Sequence, residues 1–178
     1  LLLEKEYNRK ADLVLPTSFE DKFEYCRILK ESVKDQSEII YLFVGVAFFA
    51  NIEAVRWFIN KVLPFVPGTL IIVGKGMDSY AKEWETNRVK VFGFVNDLSE
   101  FYYEANFVVL PIFSGGGMKT KTAEALMFGK TIIGTTEAFE GYSLDNDSTI
   151  LCNNSIEFID KIKDLINQGV EVIMMTGD

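Results

Sequence analysis

Residues Ser114 to Leu126 read SGGGMKTKTAEAL, three glycines followed by two lysines and then a glutamate. They come directly after the apolar run Phe107 to Pro111 (FVVLP) and open a stretch with helical spacing. Glycines after a strand let backbone N–H groups come close to a ligand, and a helix start adds unpaired donors and partial positive charge. Lys119 and Lys121 bring two mobile cations, and Glu124 falls one turn beyond Lys121 on the same helical face. A diphosphate suits the glycines and lysines, and a diol suits the carboxylate. A sugar nucleotide carries both. The pattern is neither the GxxxxGK signature of P-loop NTPases nor the GxGxxG of dinucleotide sites, which disfavours both classes. The competing account is an ordinary tight turn with two solvating lysines. The apolar strand before the glycines, and the placing of Glu124 between Ala123 and Ala125, weigh against it.

Composition narrows the classes further. A chain of 178 residues suits one domain, or one domain with a fragment of another. Its 48% hydrophobic content, with 15 phenylalanines, is enough for a substantial core. A net charge of −8 speaks against a nucleic-acid partner, which would need a basic face, so any phosphate must be held locally. There is no histidine, which removes the commonest general base, a Ser-His-Asp triad and most zinc sites. No metal or other cofactor is expected. Cys26 and Cys152 stand far apart without partners at metal spacing and read as buried thiols in a reducing compartment. No apolar run reaches the roughly 20 residues that a membrane span needs, and no signal peptide is visible. A cytoplasmic location is expected. The leading leucine suggests a piece of a longer protein.

Apolar runs alternate with helical patterns from Ile39 onward. Strands are expected at Ile39 to Val46, Thr69 to Val73, Val89 to Phe92, Phe107 to Leu110, Thr131 to Gly134 and Thr149 to Cys152. Helices are expected at Asn51 to Leu63, around Tyr80 to Trp84, from Asp97 to Tyr103, from Lys119 to Phe128 and from Ile156 to Asn167. Continuous apolar strands interleaved with helices predict an α/β domain: a Rossmann-like parallel sheet with helices on both faces, spanning residues 39–178. Residues 1–38 are more charged and read as a linker or the tail of a preceding domain. The closing GVEVIMMTGD reads as a possible last strand. Its TGD is shared with haloacid-dehalogenase phosphatases, but no DxDxT accompanies it.

Ligands of parallel α/β sheets gather at the carboxyl ends of the strands. Four glycine-containing loops end there: Gly45 to Asn51, Gly74 to Met77, Gly93 to Asp97 and Ser114 to Lys121. They place Gly45 and Lys75 among the candidate binding residues. With these pieces in order (LFVGVAFFANIEAVRWFINKVLP, LIIVGKG, VKVFGFVNDLSEFYYEANFVVLPIFSGGGMKTKTAEALMFGKTIIGT and AFEG) the chain resembles the C-terminal, donor-binding domain of GT-B glycosyltransferases of the retaining family-4 type. The resemblance covers about residues 40–142.

The resemblance implies one half of a GT-B fold and a nucleotide-sugar donor. Glu124 matches the carboxylate that holds the ribose hydroxyls. Gly116, Gly117 and Met118 match the loop whose amides meet the distal phosphate. Lys119 or Lys121 would neutralise charge on the leaving diphosphate, and Phe94 and Val95 match the segment along the nucleobase. Two departures stand out. The first member of the family's spaced glutamate pair falls on Gly116, and the Arg and Lys found after the first strand in many members are absent from VGVAFFANIEA. Catalytic residues would lie in a missing acceptor-side domain, of which residues 1–38 resemble the end. The chain alone would then bind donor without transferring sugar. The full-length protein would serve polysaccharide, lipopolysaccharide or other glycoconjugate synthesis, taking a glycan or lipid-linked acceptor, with room for peripheral association with a membrane. Two alternatives stand beside this: a non-catalytic sugar-nucleotide or phosphate-binding module, and a GT-B-type sugar-nucleotide epimerase.

Overall fold

The computed structural model describes residues 38–142, 144 and 148–168. The expectations for residues 1–37, including Cys26, and for the closing GVEVIMMTGD lie outside the described residues. Strand β1 (Ile40–Val44) is followed by helix α1 (Phe49–Lys61), β2 (Thr69–Val73), the short α2 (Ala81–Trp84) and β3 (Val89–Phe92). Then come α3 (Ser99–Glu104), β4 (Phe107–Leu110), α4 (Thr120–Met127), β5 (Thr131–Gly134), β6 (Thr149–Leu151) and α5 (Ser155–Asn167).

All six strands form one sheet in the order β3-β2-β1-β4-β5-β6, and every pairing is parallel. The expected Rossmann-like sheet is what forms. Strands β2, β4 and β5 are buried at every residue, as sheets covered on both faces must be. Strand β3 alternates instead, with Val89 and Val91 inward and Lys90 and Phe92 outward, because it is an edge. After β3 the chain returns across the sheet to lay β4 beside β1. The loops after β1 and β4 therefore leave neighbouring strands in opposite directions, the place where such sheets open a cleft.

The helices form where the sequence supports them. Helix α1 turns Ala50, Asn51, Ala54, Val55 and Phe58 inward, and Pro64 begins the following chain in a single 3-10 turn. Helix α5 starts with a capped turn: Asn154 at the N-cap accepts from the Glu157 amide, and Glu157 in return accepts from the amide of Asn153, one residue before the cap, at 2.6 Å. Aromatic side chains join sheet to helices. Tyr41 meets Phe58 edge-on at 5.8 Å and stacks near Phe107, while Phe158 meets both Trp57 and Phe58. Burying several such rings contributes about 2 kcal/mol each. Cys152 is a buried thiol, as expected, and burial together with the nearby Glu157 pushes it up to about 11. No described helix is long and apolar enough to cross a membrane.

Candidate functional site

The glycine loop emerges from β4 and feeds α4. Gly115 (φ 120°) and Gly117 (φ 73°) occupy the region that side-chain-bearing residues avoid. A Cβ at Gly116 or Gly117 would meet nothing within 4 Å, so open space rather than packing surrounds the loop. Among the described residues, no hydrogen bond uses the amides of Gly116, Gly117 or Met118. The next segment staples the loop from outside. Tyr142 donates to the Lys119 carbonyl at 2.7 Å, Thr122 donates to the Ala138 carbonyl at 2.7 Å, and the Met118 side chain lies against Gly141. Lys119 itself occupies the N-cap position in extended conformation, with no side chain capping the helix. The first amides of α4 thus gain nothing from a cap, and an anion placed there would supply the acceptors.

The two lysines are in different situations. Lys119 Nζ donates to Glu137 Oε1 at 2.6 Å and to the Gly117 carbonyl at 2.7 Å, with Glu140 at 3.6 Å. Its charge is answered by the carboxylates of the segment that follows β5. Lys121 Nζ donates to Asn51 Oδ1, lies 4.8 Å from the centre of the Phe43 ring and faces Gly45. Neither Asn51 nor Phe43 carries a charge. Burial, and to a lesser degree the charge of Lys119, lowers its amine from 10.5 to about 8.

Glu124 is half-buried, and its Oε2 accepts the Tyr102 hydroxyl at 3.0 Å. Tyr102 is fully buried and stacked on Phe128 at 4.4 Å, so the donor is fixed in place. Burial first, and then the Glu124 carboxylate, push the Tyr102 hydroxyl well above the ordinary tyrosine value, which keeps it a donor. The carboxylate is thereby oriented rather than left to rotate.

Gly45 and Lys75 sit in neighbouring loops. The Gly45 amide donates to Val73 at 3.0 Å and the Ala47 amide to Lys75 at 2.9 Å, which zips the ends of β1 and β2 together. Gly74 passes so close to Gly45 that a Cβ would stand 1.9 Å from the Gly45 carbonyl oxygen. The Lys75 side chain is exposed. Phe94 and Val95 follow β3, with β2 and β1 between them and β4, and Phe94 is 71% exposed. The structure therefore gathers Gly45, Lys121 and the glycine loop at the β1/β4 switch, and sets Phe94 and Val95 at the other end of the rim. Sequence reasoning missed Asn51, Tyr102, Glu137 and Glu140. Asn51 closes the first glycine loop, and Glu140 belongs to the quoted AFEG, so both carried a weak signal. Tyr102 carried none.

The chain's likenesses to known proteins agree with this fold. No curated protein sequence matches it significantly. Among solved structures it is similar to HepE of Anabaena, crystallised with UDP and glucose: TM-score 0.61 at 17% identity, over 82% of this chain and 43% of that one. It is similar to a sucrose-phosphate synthase of Thermosynechococcus elongatus, with a TM-score of 0.62 at 16% identity, over 81% and 39% of the two chains. The C-terminal domain of LpcC, a glycosyl transferase group 1 family protein of Francisella tularensis, gives a TM-score of 0.52 at 18% identity and covers 84% of each chain. The chain thus spans less than half of the two longer structures and has the fold of one half of a GT-B protein. The family model described as glycosyl transferases group 1 matches residues 38–168, and the chain belongs to that family.

Proposed function

We propose that this chain binds the nucleoside-diphosphate half of a sugar donor, as the donor domain of a longer glycosyltransferase. The observation that carries the reading is the run of unused amides at Gly116, Gly117 and Met118, opening a helix that bears Lys121 and the oriented carboxylate of Glu124. Amides and a helix start stabilise phosphate oxygens, an ammonium neutralises them, and a carboxylate accepts two hydroxyls of a ribose. UDP in the Anabaena structure is a ligand of that chemistry. Phe94 and Val95, at the far end of the rim, would lie along the base, with Gly45 and Lys75 between.

Transfer belongs to the longer protein, whose second half would bring the acceptor, a glycan or a lipid-linked glycan, and the catalytic residues. In this reading the anomeric configuration is retained, no metal is required, and the work is done on the cytoplasmic side. Within this chain, Lys121 rather than Lys119 is the stabiliser of the leaving diphosphate, because Glu137 already answers the charge of Lys119.

Calorimetry of the chain with UDP, GDP and ADP, each beside its nucleoside, tests the reading. One diphosphate should bind at least tenfold more tightly than its nucleoside, a difference of about 1.4 kcal/mol. Equal, vanishing affinities for all of them would end it. The full-length protein, given the matching donor, should release nucleoside diphosphate and form a product whose anomeric signal by NMR matches that of the donor.

A further inference from the structure

Asn51 has no charge and no reactive atom, yet it makes two bonds where the loop after β1 meets α4. It is 9% exposed. Its Nδ2 donates to the Val46 carbonyl at 2.8 Å, which fixes the amide plane, and its Oδ1 accepts from Lys121 Nζ. Those bonds join the loop after β1 to the first turn of α4, across the switch between β1 and β4. Gly45 is the third party. A Cβ there would stand 2.9 Å from both Asn51 Nδ2 and Lys121 Nζ, so the pair occupies the space that any side chain at position 45 would need. The Phe43 ring bounds the ammonium on another side.

We infer that Asn51 is a positioning residue for diphosphate binding: it holds the Lys121 ammonium at the mouth of the glycine loop, and Gly45 leaves room for the pair. The inference rests on the proposed donor-binding function and adds a residue to it. A lysine stem has four rotatable bonds, and fixing its head before the ligand arrives removes an ordering cost from binding. A neutral amide suits the task better than a carboxylate would. It accepts one hydrogen bond and leaves the positive charge unspent for phosphate, whereas Glu137 engages Lys119 in a full ion pair. The Val46 bond sets which end of the Asn51 amide faces the lysine, since the nitrogen must donate to the carbonyl.

A double-mutant cycle on the chain, with UDP and uridine as probes, separates positioning from mere support of the loop. Asn51→Ala should weaken UDP about fivefold and leave uridine unchanged, in keeping with the loss of one charge-assisted hydrogen bond. Lys121→Met should weaken UDP about tenfold. In the Lys121→Met background, Asn51→Ala should then have almost no further effect, because its route to the phosphate is gone. If the full Asn51→Ala loss persists in that background, Asn51 acts through the loop and the inference is overturned. An unchanged UDP-to-uridine ratio in Asn51→Ala overturns it too. Should Asn51→Ala fail to fold by circular dichroism, Asn51→Ser carries the same cycle with a smaller acceptor. Absence of diphosphate preference in the unaltered chain would instead sink the donor-binding reading itself, a distinct result.

Discussion

Lys121 holds its charge at a cost that the rest of the site explains. Burial and the neighbouring Lys119 lower its amine to about 8, while the groups it touches, Asn51 and Phe43, are uncharged. A base whose folded value lies below its unfolded value destabilises the protein fully below the folded value. The penalty then fades as pH rises from about 8 toward 10.5, where the unfolded chain also loses the proton. Lys121→Met should therefore raise stability at neutral pH by about 1 to 2 kcal/mol, the relief being offset in part by the orphaned Asn51 oxygen. The gain should shrink above pH 8, which denaturant melts at pH 7 and pH 10 would show. UDP affinity of the unaltered chain should likewise fall above pH 8, as the ammonium disappears, with uridine unaffected. Glu124 predicts the opposite pattern. Glu124→Gln keeps an oxygen for the Tyr102 hydroxyl, so its melting temperature should barely move, while diphosphate and nucleoside both bind more weakly for want of a diol acceptor. A large drop in melting temperature with unchanged affinity would make that carboxylate structural. Tyr102→Phe should cost about 1 kcal/mol of stability and loosen nucleoside binding severalfold by removing one of the bonds that orient the carboxylate.

At the scale of elements, the unit that matters is the glycine loop with the first turn of α4. Its glycines are not equivalent. Gly117 sits at φ 73°, so Gly117→Ala should cost about 1 kcal/mol through backbone strain, in addition to any effect on binding. Gly116 lies outside that region and a Cβ there meets nothing, so Gly116→Ala should fold with unchanged stability. The methyl would nevertheless stand where a phosphate approaches, and UDP affinity should drop about tenfold with uridine untouched. Thermal melts and calorimetry on the two variants read both effects, and a harmless Gly116→Ala would move the phosphate elsewhere. This unit was largely legible in the sequence, because a strand, a glycine run and a helix follow one another within Phe107 to Phe128. What holds it was not. The partners of Lys119, Thr122 and Met118 come from Glu137 to Gly141, and a pairing between two loops leaves no periodic trace in either. Strand and helix bounds shifted for a related reason. The expected first strand ran to Val46, but β1 stops at Val44, next to a glycine whose Cβ would collide with the Asn51–Lys121 pair.

For the whole molecule, alternation of apolar strands with helices made the parallel sheet legible, while the strand order was not. Nothing local in Ile40–Val44 and Phe107–Leu110 says that they become neighbours, yet that adjacency creates the cleft and brings Asn51 to Lys121. The molecule also sets a local basic site inside an acidic whole, with a net charge of −8. A diphosphate approaching it feels long-range repulsion and short-range attraction, and salt acts on these differently. The close contacts, amides and a buried ammonium, are weakly screened, whereas the diffuse repulsion is removed within a Debye length of about 10 Å. Raising salt from a low value should therefore speed association of UDP with the chain, and the dissociation rate should change little. A site made of exposed surface lysines would behave in the opposite way, losing affinity steadily with salt. Stopped-flow binding at several salt concentrations distinguishes the two. The same chain, mixed with sugar donor and acceptor, should show no transfer, since one wall of the reacting centre would be open to water, where positioning and preorganised charge accelerate least. Association slowed by salt would place the phosphate on exposed lysines, and turnover by this chain alone would show that a single domain suffices for transfer.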